Sequence, residues 1–226
     1  MKFAVASVDS LMIYFGETIH ADVAKEVRKA FFILKQAHLP ELIEIIPSYT
    51  SIMVSYDFLK LDYDEACALI QETLEKVQGE VDEIPSRQMQ VPVYYSEESG
   101  LDLLDLAKAK GLTPQEVIDI HTNRDYFVYA IGFFPGFPYM GEVDERIAMP
   151  RLANPRAKVP KGAVGIADRQ TAVYPKESPG GWNIIGRTPI EMFDPSYEGL
   201  SYLRVGDKVR FVPISKEEYE AMGGVL

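Results

Sequence analysis

The first 80 residues alternate between two hydrophobic periods. Short apolar runs, bounded by polar or turn-forming residues, are typical of β-strands; they lie at 2–8, 11–16, 42–46 and 52–56. Between these runs, apolar residues recur at the spacing of amphipathic helices at about 20–37 and about 64–78. Pro40 and Gly79 are expected to end these two helices, and Asp62 with Glu65 has the pattern of a capping box.

A further strand is predicted at 91–95, where V-P-V-Y-Y follows the second helix. With it, the elements follow the order β-α-β-β-α-β, which is the order of a ferredoxin-like unit. The same strand could instead open the next domain. We place the boundary at 86, so that an α+β ferredoxin-like domain is predicted for residues 1–86.

The remainder, residues 87–226, is predicted to be a mainly β domain. A helix at 101–111 ends at Gly111, a second begins at Thr113-Pro114-Gln115-Glu116, and a last one begins at Ser215 with Glu218. Strand-like runs lie at 126–131, 163–167, 171–174, 182–185, 190–193 and 208–214. Many short strands separated by Gly/Pro turns indicate a barrel or a sandwich.

The segment 131–189 differs from the rest of the chain in composition. It holds 8 Gly and 8 Pro in 59 positions, whereas the other 167 residues hold 8 and 7. Such density excludes long helices and predicts short strands with tight turns. From Arg146 to Arg187 the formal charge is +6, although the whole chain carries −11.

Composition also excludes several functional classes. An acidic chain with pI near 4.8 has no basic face large enough for nucleic acid. A single cysteine, Cys67, excludes an intrachain disulfide, and no apolar run is long enough for a membrane span. The N-terminus is a poor signal peptide because Asp9 interrupts its apolar run. We therefore expect a soluble, cytoplasmic protein.

One motif resembles a phosphate-binding loop. Residues 181–188 fit G-x-x-x-x-G-[KR]-T, but such a loop needs a strand before it and a helix after it. Pro189 and Asp194-Pro195 would interrupt that helix. A barrel hairpin is the preferred interpretation.

Three arginines, Arg151, Arg156 and Arg187, stand beside or near prolines, which restrict their backbone. A rigidly held guanidinium suits bidentate binding of a carboxylate or phosphate. The alternative is that these arginines pin loops by pairing with Asp144, Glu145 and Glu177. For Arg156 and Arg187 both roles stay open, and for Arg151 the loop-pinning role is preferred.

The other reactive side chains are less informative. His121 precedes a barrel strand and is a candidate acid/base, with a turn-pinning hydrogen bond as the alternative. His20 and His38 are interpreted as surface residues, and Cys67 as a buried small residue. Ser178 does not stand in a nucleophile elbow. No metal-binding spacing is present in the sequence.

Six ordered motifs resemble the KipI family, whose members are also called allophanate hydrolase subunit 1 or the 5-oxoprolinase B subunit. They are P-G-F-P-Y-M-G, P-R-x-x-x-P-R-x-x-V-P, G-x-V-G-I-A, Q-T-x-x-Y-P, S-P-G-G-W and I-G-R-T-P. H-T at 121–122 and G-D-K-V-R-F-V-P-I at 206–214 also match, so that the resemblance covers nearly the whole chain.

The resemblance implies a ferredoxin-like domain followed by a cyclophilin-like β-barrel. It implies one component of an ATP-dependent 5-oxoprolinase, which opens 5-oxoproline to glutamate together with a KipA-like protein and a LamB/YcsF-like protein. ATP is expected to be bound jointly with the KipA-like partner. Relatives that inhibit a sporulation histidine kinase, or that belong to urea and allophanate breakdown, provide the alternatives.

These considerations yield one set of candidate residues. The substrate- or anion-binding candidates are Arg151, Arg156, Gln170, Glu177 and Arg187. The residues expected on a cleft loop are Phe137, Tyr139, Ser178 and Trp182. His121 is the candidate acid/base, and no metal ligand is expected.

Overall fold

The computed structural model describes residues 1–18, 21–77, 86–196 and 199–226. The chain divides into two units, Met1–Pro85 and Ser86–Leu226. His20 and Gly79, whose roles the sequence suggested, lie outside the described residues. We describe the two units separately.

The first unit is a four-stranded antiparallel sheet with two helices. Its elements are β1 (Lys2–Ser7), β2 (Ser10–Tyr14), α1 (Ala21–Gln36), β3 (Leu42–Pro47), β4 (Ser51–Tyr56) and α2 (Tyr63–Val77). The strand order is β1-β2-β4-β3. The capping box predicted at the start of α2 is confirmed, because the backbone N–H groups of Asp62 and Glu65 each donate to the other's carboxylate at 2.9 Å.

The core of the first unit forms where the helical stripe meets alternate residues of the central strands. Fully buried strand residues are Leu11, Ile13, Ile52 and Val54. From the helices, Val27, Leu34 and Ile70 pack against them. This pattern follows from the period of two along strands and 3.6 along helices.

The strand predicted at 91–95 does not belong to this sheet. It forms β5 (Gln88–Tyr94), which pairs with strands of the second unit. Among the described residues, the order of the first unit is therefore β-β-α-β-β-α rather than β-α-β-β-α-β. The hairpin partner β1 lies beside β2 at the sheet edge, and Val91 and Val93 are buried in the barrel core instead.

The second unit is built on a closed seven-stranded barrel. Its remaining elements are α3 (Leu103–Lys110), α4 (Pro114–Thr122), β6 (Asp125–Ile131), β7 (Pro138–Gly141), β8 (Arg156–Val159), β9 (Ala163–Ala167), β10 (Gln170–Val173), β11 (Ser178–Gly180), β12 (Asn183–Arg187), β13 (Lys208–Ile214) and α5 (Lys216–Ala221). The barrel order is β10-β7-β6-β13-β5-β12-β9, and β8 with β11 forms a separate ribbon. Strands β5 and β13 run parallel to each other, and the other neighbouring strands of the barrel are antiparallel.

Strand β9 is buried on both faces, which explains its sequence A-V-G-I-A. Val164 and Ile166 point into the barrel core. Ala163 and Ala167, on the opposite face, pack in a second cluster with Phe137, Tyr174 and Trp182. The small residues leave room for these aromatic rings outside the barrel wall.

The helix starts in this unit follow the predicted caps. Thr113 and Ser215 each accept a hydrogen bond from the backbone N–H three residues later, at 3.2 Å, and both capping boxes are complete. Gly111 ends α3 with φ +66°, a conformation that a residue without a side chain adopts at little cost.

The strand predicted at 190–193 is wrong. Pro189 has no N–H to donate to a neighbouring strand. The next N–H, of Ile190, is bonded to the Thr188 hydroxyl at 3.2 Å. The chain therefore leaves the barrel after β12, and an isolated bridge between Phe193 and Ser201 is the pairing found in the described part of this stretch.

Each unit is predicted to fold when it is expressed alone as residues 1–85 or 86–226, because each has its own core of buried apolar residues. A cooperative thermal transition and dispersed NMR spectra of both fragments would confirm this. A fragment that gives neither signal would show that its core depends on the other.

Candidate functional site

An aromatic cluster covers the outside of strands β9 and β10. Phe137 lies at its centre and is 1% exposed. Its ring centroid is 4.8 Å from that of Tyr139, 5.2 Å from that of Tyr174 and 5.8 Å from that of Trp182. The sequence-predicted loop residues Phe137, Tyr139 and Trp182 are thus brought together, although Phe137 and Trp182 are buried.

The loop between β6 and β7 brings Phe137 into this cluster. The Gly132 N–H donates to the Phe137 carbonyl at 3.1 Å, and the Phe137 N–H donates to the Phe134 carbonyl at 3.0 Å. Phe133, at the tip, is 65% exposed and has φ +66°. That backbone conformation costs on the order of 1–3 kcal/mol for a residue with a side chain. The loop therefore holds one aromatic ring inside and exposes another.

Two glycines allow the aromatic rings to approach the backbone. A Cβ on Gly165 would lie 3.1 Å from the Trp182 Cβ, so that Trp182 could not rest as closely on β9. A Cβ on Gly180 would collide with the Tyr174 hydroxyl group. The S-P-G-G-W motif therefore packs closely on the G-x-V-G-I-A motif at Gly165 and on the Q-T-x-x-Y-P motif at Tyr174, because glycine leaves the space in both places.

Five of the eight cations between residues 146 and 187 pair with carboxylates. The pairs are Arg146–Asp144, Arg156–Asp102, Lys158–Glu177, Lys161–Glu191 and Arg169 with Glu142 and Glu145. Within the described part of the chain, Arg151, Lys176 and Arg187 have no carboxylate within 4 Å. The local excess of positive charge is thus concentrated on three side chains.

Arg156 forms a bidentate ion pair with Asp102. The two N–O distances are 2.8 and 2.5 Å, and Asp102 is 4% exposed. The same carboxylate accepts the Ile184 N–H at 2.7 Å, while the Asp102 N–H donates to the Ile184 carbonyl at 2.8 Å. This network joins the start of α3 to β8 and β12.

The acids expected to pin the three arginines have other partners. Asp144 binds Arg146 and Arg124, while Glu145 binds Arg169. Glu177, exposed at the surface, binds Lys158 at 3.2 Å. The pairings of these three acids with Arg151, Arg156 and Arg187 are therefore wrong. For Arg156 the reason is that the fold brings it to Asp102, which is distant in sequence.

Arg187 and Gln170 lie outside the aromatic cluster. The Arg187 Nε donates to the Lys161 carbonyl at 2.7 Å, so that this arginine secures the turn before β9. Gln170 opens β10 opposite Gly141 and is half-buried. Among the described residues, neither side chain forms a hydrogen bond or ion pair with Arg156.

Ser178 has a buried hydroxyl group with no hydrogen-bond partner among the described residues. The residue is 5% exposed, and its Oγ atom lacks a donor or acceptor. It pairs directly with Val159 across the β8–β11 ribbon. Opposed residues place their side chains on one face, and Val159 belongs to the aromatic cluster. The hydroxyl group therefore lies on the cluster side of the ribbon.

His121 lies in the interior of the second unit. It is 0% exposed and packs against Phe211, with ring centroids 4.6 Å apart. Thr171 Oγ1 donates its proton to the Gly165 carbonyl and lies 3.0 Å from His121 Nε2, so that Nε2 carries the ring proton. The Tyr95 hydroxyl group then donates to Nδ1 at 2.9 Å.

Burial, followed by the positive charge of Arg124, lowers the pKa of His121 from 6.5 to about 3. The ring is therefore neutral at physiological pH and has both nitrogen atoms engaged. The acid/base role expected for His121 finds no support in this geometry. The ring does form hydrogen bonds, but with Tyr95 and Thr171, which are distant in sequence, and not within a turn as the alternative had it. No motif revealed Tyr95, whereas Thr171 is the threonine of the Q-T-x-x-Y-P motif and its role was not recognised.

The described residues do not form a nucleotide site of the phosphate-loop type. The G-x-x-x-x-G-R-T stretch contains strand β12, and the described residues 188–196 that follow it are not helical. No group of three His, Cys, Asp or Glu side chains in the described ranges is arranged to hold a metal ion. A polar cleft of about 460 Å³ beside α4 is lined by Arg124 and Asp144, away from the aromatic cluster.

Comparison with known proteins identifies the family. Residues 1–203 match the model described as carboxyltransferase domain, subdomain C and D. The chain belongs to this family.

Members of the family include close relatives of this chain. The 5-oxoprolinase B subunit of Bacillus subtilis is 42% identical over 94% of the chain and 92% of that protein. The 5-oxoprolinase B subunit of Escherichia coli O157:H7 is 41% identical over 77% and 79%, respectively. The resemblance to the KipI or allophanate hydrolase subunit 1 family is therefore confirmed.

More distant members are larger proteins. The crystal structure of TTHA0988 is 33% identical and superposes with a TM-score of 0.79 over 91% of the chain, which spans 40% of the TTHA0988 chain. The urea amidolyase of Saccharomyces cerevisiae is 31% identical over 52% of the chain, which corresponds to 7% of that enzyme.

We predict that Asp102→Asn destabilises the protein by roughly 2–4 kcal/mol, because it leaves the Arg156 guanidinium without its charged partner in a mostly buried position. Urea unfolding measures the change. Glu177→Gln is the matched control, since it breaks an exposed ion pair and is expected to leave stability unchanged. Equal midpoints for the two variants would contradict the structural role of Asp102.

We also predict a loss of stability as the pH falls below about 6.5. His121 has a lower pKa in the folded state than in the unfolded state, so that protons bind preferentially to the unfolded chain. Its contribution should decline by at most about 1.4 kcal/mol per pH unit below that point. Urea unfolding at pH 7.5 and 5.5 should show a smaller decline in His121→Gln than in the wild type. An equal decline would show that His121 is not buried in its neutral form.

Proposed function

We propose that this chain is the B subunit of an ATP-dependent 5-oxoprolinase, which opens 5-oxoproline to L-glutamate. The main support for this proposal is the 42% identity to the Bacillus subtilis 5-oxoprolinase B subunit over nearly the full length of both proteins. Similar identity to the Escherichia coli O157:H7 protein of that name supports the same assignment.

The proposal includes partner proteins, because the chain presents an incomplete set of catalytic groups. His121 is buried and neutral, and the phosphate-loop look-alike is a strand. We propose that a KipA-like protein and a LamB/YcsF-like protein complete the active site, and that ATP is bound jointly with the KipA-like protein. In the described part of the chain, no helix combines the length and apolar character required to cross a membrane.

The proposed reaction transfers the γ-phosphoryl group of ATP to the amide oxygen of the lactam and releases ADP. Water then adds to the activated carbon, and the ring C–N bond breaks as its nitrogen takes up a proton, which leaves a γ-glutamyl phosphate. A second water molecule hydrolyses this acyl phosphate to glutamate and phosphate. The contribution of this chain would be binding and orientation, since fixed cations stabilise carboxylate and phosphate charge.

The finer fold assignment belongs to the same proposal. We assign the first unit to the ferredoxin-like folds, with β1 at the sheet edge where the last strand of a β-α-β-β-α-β unit would lie. We assign the second unit to the cyclophilin-like barrels. Neither assignment implies prolyl isomerase activity, because one fold supports many functions.

The test is reconstitution. The chain alone should hydrolyse neither ATP nor 5-oxoproline, whereas a mixture with the KipA-like and LamB/YcsF-like proteins of the same organism should form glutamate and ADP in equal amounts. Omission of each protein in turn is the control.

Two outcomes would decide against the proposal. Turnover by the lone chain would refute the requirement for partners. An inactive mixture, together with inhibition of a sporulation histidine kinase or support of urea or allophanate breakdown, would favour an alternative function.

A further inference from the structure

Arg151 is held rigidly opposite Trp182 by hydrogen bonds on both sides. The carbonyl of Pro150 accepts a bond from the Asn183 side chain at 2.9 Å. The N–H of Leu152 donates to the Gly181 carbonyl at 2.7 Å. Pro150, which precedes Arg151, is thus bonded to Asn183, which follows Trp182. Leu152, which follows Arg151, is bonded to Gly181, which precedes Trp182.

This arrangement places the guanidinium group on the indole ring. The Arg151 Cζ atom lies 5.7 Å from the ring centroid of Trp182, within the range of a cation–π contact. Trp182 is 5% exposed and Arg151 is exposed. The aromatic surface therefore supports one side of the guanidinium group and leaves donor groups available to solvent.

Arg151 differs from the other arginines of the segment in its partners. Arg156 is engaged by a carboxylate and Arg187 by a carbonyl group. No carboxylate among the described residues lies within 4 Å of Arg151, although the chain has 34 acidic residues. A rigid guanidinium without a carboxylate partner is suited to bidentate binding of an external oxoanion.

Two phenol groups lie close to the same charge. Burial raises the pKa of Tyr139, and the positive charge of Arg151 opposes that shift. Burial raises the pKa of Tyr174 to about 12, although the backbone N–H of Trp182, which donates to the phenol oxygen, and the charge of Arg151 both act to lower it. Both phenols are therefore neutral at physiological pH, and anions do not encounter a competing negative charge there.

We propose that Arg151, supported by Trp182, binds an oxoanion of a small ligand, either a carboxylate or a phosphate group. The identification of that carboxylate as the one on 5-oxoproline rests on the proposed function. The anion site itself depends only on the geometry around Arg151.

The chain contains one tryptophan, Trp182, so that its intrinsic fluorescence reports directly on this site. We would titrate the full chain with 5-oxoproline and with inorganic triphosphate, which lacks an absorbing base, at constant ionic strength. Pyrrolidin-2-one, the same lactam without a carboxylate, is the ligand control. A saturable change with at least one anion, and none with pyrrolidin-2-one, is expected.

Arg151→Gln should weaken that binding about ten- to a hundredfold, which corresponds to loss of a hydrogen bond to a charged group. Arg151→Lys should also weaken binding, because lysine lacks the planar pair of donors. The matched control is Lys158→Gln, which removes one exposed positive charge from the same segment and should leave affinity unchanged. Thermal melting would verify that each variant is folded.

The titrations with 5-oxoproline and with triphosphate distinguish a substrate carboxylate from a nucleotide phosphate as the anion bound. Tighter binding of 5-oxoproline would assign the site to a substrate carboxylate, and tighter binding of triphosphate would assign it to nucleotide phosphates. The absence of saturable binding of either anion, or equal affinity of wild type and Arg151→Gln, would overturn the proposal. Arg151-dependent binding in a protein that fails reconstitution would preserve the anion site and reject the proposed function.

Discussion

Burial of strand β9 on both faces is the constraint on which the second unit depends. One face of β9 closes the barrel core through Val164 and Ile166. The other face receives the aromatic cluster and must be nearly flat, which explains Ala163, Gly165 and Ala167. Larger residues there would displace Trp182 and, with it, the support of Arg151. The barrel wall and the candidate anion site are therefore parts of one packing arrangement.

The cations in the segment 146–187 of the second unit fall into two groups, those paired with a carboxylate and those without one among the described residues. The buried Asp102 carboxylate satisfies both Arg156 and the Ile184 N–H, and such a pair is costly to break from one side. Most of the other cations of the segment form ion pairs with carboxylates at the surface. Three cations, Arg151, Lys176 and Arg187, have no carboxylate within 4 Å among the described residues. Two of these, Arg151 and Lys176, lie over aromatic rings.

The site also indicates why this family member would need partners. Aromatic rings and a rigid arginine can orient a ligand and offset its charge, but proton transfer requires a group that titrates near neutral pH and reaches the substrate. His121 meets neither condition, because both of its nitrogen atoms are engaged inside the second unit. The proposed division of labour, with orientation here and phosphoryl transfer shared with a partner, agrees with these properties.

The sequence by itself determined the local elements and the family. Capping residues such as Thr113 and Ser215, and the period of apolar positions, act within a few residues and so can be recognised along the chain. Tertiary structure decided what depends on distant pairing. It assigned β5 to the barrel, joined Arg156 to Asp102 across 54 positions, buried His121, and left Arg151 without a carboxylate partner among the described residues. Each outcome depends on which surfaces exclude water together, and no local pattern contains that information.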